Sequence, residues 1–280
     1  MPTLDYKEIL CIGQTAENNL LLSAVVFFVC SRILAHLISM SALIKMLVDK
    51  ILKELKTLEN PENVAGMKRF GIVTKKAFGV SAPVLKSLAK EIKKQTENRH
   101  DPALELWKTE IHEARIIAYL IDEPKKVSEE QMDDWAKDFD NWAICDGTCG
   151  HLFCKTEFAY KKVFDWSQSD KEFVKRAGLV LPAWLAVHDK EAADEKIAQF
   201  LPLLEKHADD ERNFIKKAVN WSLRQIGKRS LFLNNLAIET AEKIKSQNSK
   251  SARWIASDAL RELENEKILE RLNKKTSAVK

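Results

Sequence analysis

From Lys45 onward, apolar residues recur every three or four positions and almost nowhere alternate with polar ones, a pattern that predicts successive amphipathic helices rather than strands. Leu47, Ile51, Leu55 and Leu58 form one such series before Asn60-Pro61. Val84, Leu85, Leu88 and Ile92 form the next, and Phe70-Gly71 and Phe78-Gly79 mark breaks between them. Further helical units are expected over residues 104–120, 129–139, 142–153, 158–166, 171–188, 191–207 and 212–227. The last runs over residues 231–263 with an interruption at 246–251. Paired helices recurring at about 35–45 residues suit HEAT-type repeats, whose two-helix units bury their apolar faces only by stacking on neighbours. The expected fold is all-α, a HEAT-like helical-repeat solenoid with a concave binding face. An irregular helical domain is the alternative.

The amino-terminal segment departs from this pattern. Residues 20–44 are a long apolar stretch, and about twenty such residues suffice to span a bilayer. Arg32 and His36 lie inside it, and a charge at mid-helix costs roughly 2.5–3.5 kcal/mol on insertion scales. Asp5, Glu8 and Glu17 occupy the place where a signal peptide carries cations. Three readings stand: an extra helix, a poor membrane span, or a segment upstream of a start at Met40 or Met46. The expected organisation is an apolar extension over 1–45, a repeat domain over 46–272 and a polar tail over 273–280.

Composition sharpens the fold class more than the function. Eight Gly and seven Pro are few for the many tight turns of a sandwich or barrel of 280 residues. Apolar residues at 45% and charged residues at 31% are ordinary for a folded chain. The net charge of +4, from 45 basic and 41 acidic residues, does not by itself distinguish a nucleic-acid surface from an average one. The five cysteines are an odd number, widely spread, which favours a reducing cytoplasm over a disulfide framework. Cys145, Cys149, Cys154 and His151 contain no CxxC pair, so no metal site is expected.

Two constellations carry candidate chemistry. In the helix at 212–227, Ile215, Val219, Ser222 and Ile226 share one side, while Lys217, Trp221, Arg224 and Lys228 share the other. An aromatic among cations suits a nucleic-acid surface, where charges meet phosphates and the ring packs on base or sugar. The same pattern also suits a tryptophan packed against a neighbouring repeat. Around residue 142, Asp140 or Asn141 is placed to cap a helix on which Trp142 and Asp146 stand one turn apart. Asp146 there is either a structural carboxylate or one that aims water and stabilises a sugar cation.

Trp142 with Asp146, then Phe173-Val174-Lys175-Arg176-Ala177, then Phe214-Ile215-Lys216-Lys217-Ala218 with Trp221, resembles the AlkD-like DNA alkylation repair proteins, over about residues 46–263. The Lys76-Ala77-Phe78-Gly79-Val80 stretch leading into Pro83 belongs to the same likeness. The resemblance implies HEAT-like repeats cradling duplex DNA and hydrolytic removal of N3-alkyladenine or N7-alkylguanine by a monofunctional glycosylase. By that likeness Asp146 is the catalytic carboxylate, Trp142 and Trp221 hold the damaged nucleotide's sugar, and Arg176 or its neighbour Lys175 contacts the DNA backbone. Lys217, Arg224 and Lys228 complete the expected DNA-binding set. Neither a cofactor nor an obligate protein partner is expected, and the expected partner is duplex DNA carrying alkylated bases. Alternatives are a non-catalytic binder of branched or distorted DNA and a protein-interaction scaffold.

Overall fold

The computed structural model describes residues 40–277. The chain divides into two compact units, Met1–Ile51 and Leu52–Lys280. Of the first, residues 40–51 are described and helical. Most of the apolar run at 20–44 therefore lies outside the described residues, among which no helix is long and apolar enough to cross a membrane.

The second unit opens with helical residues 52–57 (α1) and continues as α2 (Pro61–Met67), a 3-10 turn (Lys68–Phe70), α3 (Ala82–Gln95), α4 (His100–Lys108), α5 (His112–Ile121) and α6 (Glu129–Lys137). Then follow α7 (Trp142–His151), a second 3-10 turn (Phe153–Lys155), α8 (Ala159–Ser167), α9 (Glu172–His188), α10 (Asp194–Ala198), α11 (Leu201–Lys206) and α12 (Asn213–Gly227). The unit closes with α13 (Leu231–Lys245), α14 (Lys250–Leu263) and α15 (Glu266–Ser277), so residues 273–277 are helical. Starts are set by side-chain caps, Asn60, Ser128, Asn141, Ser230 and Ser249 each accepting a backbone N–H that the first turn leaves unpaired. The described residues contain no β-strand, only one isolated parallel bridge between Lys76 and Ile111.

Stacking follows a two-row plan. α3, α5, α7, α9, α12 and α14 pack each on the next as one row, and α4, α8 and α13 back them. The core between the rows is apolar and aromatic: Trp107 lies parallel to Trp135 at 3.9 Å, while Phe153 and Phe200 are fully buried. The helices of the first row thus bring residues some 30–40 positions apart in sequence together as neighbours.

Two expected units are each two helices. The 104–120 segment breaks at Glu110, which takes a left-handed conformation (φ 59°) so that the His112 N–H can donate to the Lys76 carbonyl. The 191–207 segment is α10 and α11, joined through Gln199 and the buried Phe200. The first break carries neither Gly nor Pro, whereas the second is followed by Pro202 in the first turn of α11, a position where proline marks a helix start.

The segment between the first 3-10 turn and α3 is irregular yet firmly held. Glu113, almost fully buried on α5, accepts the backbone N–H groups of Phe78 (2.8 Å) and Gly79 (2.6 Å). Asn63 donates to the Gly79 carbonyl at 2.8 Å, and the Asn60 N–H to that of Phe78 at 2.7 Å. These bonds fix the approach of the preceding turn, Lys68–Phe70, to the stacked row.

Candidate functional site

The site is assembled from α7, α9, α12 and α14, consecutive members of the stacked row. On α7, the Asn141 side chain accepts from the N–H groups of Ala143 and Ile144, fixing the first turn. Trp142 and Asp146 then project one turn apart into a cleft of about 750 Å³ that Trp221 and Lys217 of α12 also line. The indole N–H of Trp142 donates to the Phe70 carbonyl at 2.8 Å, so the 3-10 turn forms one rim.

Asp146 is held by an arginine fork. Arg176 of α9 donates from Nε to Oδ1 at 2.8 Å and from Nη2 to Oδ2 at 2.7 Å, the bidentate geometry that makes guanidinium–carboxylate pairs strong. Its remaining terminal nitrogen donates to the Phe214 carbonyl at 2.5 Å. Arg176 is almost fully buried, whereas the Asp146 side chain keeps 17% of its surface accessible from the cleft. Burial pushes the Asp146 carboxyl above its ordinary range, and the charge and hydrogen bonds of Arg176 pull it back part of the way.

Trp221 meets Trp184 of α9 edge to face at 5.3 Å and 88°. Trp184 stacks on His188 at 5.3 Å, and its buried indole N–H has no partner among the described residues. The ring series continues through His151 (6.3 Å from Trp184) to Tyr119, which lies parallel to His151 at 5.8 Å. Burial, then the charges of Lys86 and Lys155, lower the His151 pKa and so favour the uncharged ring. This close approach of α9 to α7 requires Gly150: a Cβ there would stand 2.2 Å from the Trp184 ring. Gly150→Ala is expected to destabilise by about 1–3 kcal/mol, read from the urea midpoint. It should also change the near-ultraviolet signal of the Trp184–Trp221 pair; an unaltered signal would place the strain elsewhere.

The expected cations are brought to the same face, but most meet acids from the adjacent helix. Arg224 and Lys228 both bond Glu262 at 2.5 Å, and Arg224 also approaches Asp258 at 3.4 Å. Lys175 pairs with Asp210 at 3.0 Å. Against the burial that would raise it, hydrogen bonds from Arg212 and Lys175 hold Asp210 well below the usual carboxylate range. Arg176, which also lines the cleft, has its guanidinium engaged by Asp146 and by the Phe214 carbonyl. Lys217 alone of the expected set is exposed and without an ion pair among the described residues.

The sequence did not single out Trp184, nor the far wall of the cleft, Trp254 and Asp258 on α14. Trp254 is 41% exposed with the Lys216 ammonium 5.4 Å above its ring, and Asp258 accepts from the Asn220 amide at 2.7 Å. A tryptophan and an acid one turn apart, one repeat beyond the Trp221 helix, were the available signal. Cys145, Cys149 and Cys154 are buried and pack within the core, their sulfurs directed at the carbonyls of Phe173, Ala177 and Gly150. Burial raises the Cys145 thiol well above its ordinary value and pushes Cys154 up to about 12. Among the described residues no group of three or more ligating side chains could hold a metal ion.

No curated protein matches the chain. Among solved structures, one from a family described as related to the HEAT-like repeat DNA glycosylases with affinity for branched DNA structures is similar, at 22% identity and a TM-score of 0.63. The match covers 76% of this chain and 94% of that one, and establishes the HEAT-like repeat fold. The model of the DNA alkylation repair enzyme family matches residues 51–263, which contain every helix of the cleft, so the chain belongs to that family.

Proposed function

We propose that this protein is a DNA repair N-glycosylase that hydrolyses the glycosidic bond of cationic alkylated purines, N3-alkyladenine and N7-alkylguanine, in duplex DNA. The observation that carries this reading is a single carboxylate, Asp146, held by the Arg176 fork in a cleft it shares with Trp142 and Trp221.

A cationic purine is already a good leaving group. As the bond from C1′ to the base nitrogen breaks, its electron pair neutralises the base, and the positive charge passes to the sugar. A fixed carboxylate on that face stabilises the sugar cation, because it was ordered before the charge developed. A water oxygen then bonds to C1′, and its proton passes to Asp146 and on to solvent. The products are a neutral alkylated base and an abasic sugar. Trp142 and Trp221 supply apolar ring surface for the deoxyribose and exclude competing water, while Lys217 meets a phosphate. The direct test is release of N7-methylguanine and N3-methyladenine from methylated duplex by the purified protein.

A second reading, recognition of branched DNA without excision, is favoured by the affinity described for the solved relative's family. Salt-sensitive duplex binding without base release would select it. In either case Lys217→Ala is expected to lower the slope of log affinity against log salt by about one, the contribution of one phosphate contact. Lys228→Ala should lower it less, since Glu262 already neutralises that ammonium. Equal slopes for Lys217→Ala and the unaltered protein would remove α12 from the phosphate contacts.

A further inference from the structure

Phe70 is the most exposed of the large hydrophobic side chains among the described residues, at 72%. Val73, three positions on, is 63% exposed. An apolar ring in water forgoes the gain of burial, and exposed apolar groups at the mouth of a polar cleft commonly mark a contact surface.

The backbone beneath this ring is fixed, not loose. The Phe70 carbonyl accepts the Trp142 indole N–H at 2.8 Å. The next residue, Gly71, turns the chain in the left-handed region (φ 72°) and lies against the Phe214 ring, where a Cβ would approach to 3.2 Å. Both anchors belong to the walls of the cleft. The Phe70 side chain is thus held outward at the rim by the residues that line the nucleotide-sized cavity.

Charge completes the picture. Lys68 and Arg69 precede the ring, and Lys75 and Lys76 follow it on the same segment. Among the described residues, Lys76 alone of these four has an ion pair, with Glu110 at 3.4 Å. An apolar side chain flanked by unpaired cations suits the minor groove, where cations meet phosphates and a ring enters between base pairs.

We infer that Phe70 is a wedge that enters the duplex at the base step beside the nucleotide held between Trp142 and Trp221. The inference rests on the DNA-binding reading above and adds a distortion of the duplex that the sugar cleft alone does not require. Parting two stacked bases is unfavourable, and stacking of the exposed base on the Phe70 ring offsets part of that loss. The carbonyl bond to Trp142 sets wedge and sugar site in register.

The test uses the full chain and a short duplex carrying a tetrahydrofuran residue, a stable mimic of the excised nucleotide, with 2-aminopurine at the adjoining position. The fluorescence of 2-aminopurine rises when it loses its stacking partner. The unaltered protein is expected to raise it severalfold, and Phe70→Ala to abolish most of the rise. Affinity in Phe70→Ala should fall about fivefold or more, as expected when one base loses its stacking partner. Its salt slope should be unchanged, because no charge is removed. Phe70→Leu, which keeps an apolar wedge, should retain most of both signals. At 72% exposure the ring contributes little to the core, so Phe70→Ala should melt as the unaltered protein does. The inference is overturned if Phe70→Ala gives the same fluorescence rise with affinity within about twofold of the unaltered protein. It is also overturned, leaving the glycosylase reading intact, if the unaltered protein binds in a salt-sensitive manner without any rise. Absence of salt-sensitive duplex binding overturns both.

Discussion

Purified Asp146→Asn is expected to bind methylated duplex with nearly unchanged affinity and to release alkylated purines about 10²–10³-fold more slowly, the loss typical of removing one pre-oriented group that stabilises developing charge. Asparagine occupies the same volume and still accepts one hydrogen bond from Arg176, so the cleft keeps its shape. What disappears is the negative charge facing the cleft. The measurement is single-turnover release of N7-methylguanine, where chemistry is separated from product departure. Equal rates for the two proteins would exclude Asp146 from the reaction, and weaker binding with an unchanged rate would make it a substrate contact instead.

Arg176→Met is expected to produce two effects through the same carboxylate. The first is a loss of about 3–5 kcal/mol of stability, because removing one member of a buried pair strands the other. Urea unfolding measures this, with the m-value unchanged if the fold is retained. The second is a shift in pH dependence. On the glycosylase reading, excision would need ionised Asp146 and would fail as pH falls through its pKa. Burial raises that pKa, so the acid limb of activity should lie above the ordinary aspartate value of about 3.9. Arg176 opposes the rise, and without it the limb should move to still higher pH. Arg176→Lys, which restores a charge but not the fork, should fall between the two. A limb that stays in place in Arg176→Met would show that Asp146 does not depend on its arginine.

Much of this arrangement was legible locally. The α12 pattern separated Ile215, Val219, Ser222 and Ile226, all buried, from Lys217, Trp221, Arg224 and Lys228, all at least partly exposed. The spacing of Trp142 and Asp146 placed both in one cleft, and Asn141 is the cap. The partners of the charged residues were not legible, because they lie one repeat away. Arg176 bonds Asp146 across 30 positions, Lys228 bonds Glu262 across 34, and Arg224 reaches Glu262 across 38. Periodicity within a helix reports which face a residue occupies but not which residue the next helix sets opposite it. The cationic stripe was therefore read without its counter-ions. The split of residues 104–120 was hidden for a related reason: the left-handed Glu110 is stabilised by pairing of the following strand-like residues with the distant Lys76 segment, not by a local turn residue. Phe70 was visible only as part of a break, since its exposure depends on the α7 and α12 residues that hold its backbone.

The buried cysteines bear on how the protein survives the chemistry that damages DNA. Methylating electrophiles attack thiolates far faster than thiols, and a sulfur whose pKa stands at about 12 is protonated almost entirely at neutral pH. Cys145 and Cys154 are shielded twice, by the walls of the core and by their retained protons, although Cys145 is adjacent in sequence to Asp146. An alkylating electrophile would thus react with exposed thiols before these two, and the packing of the core behind the cleft would be kept.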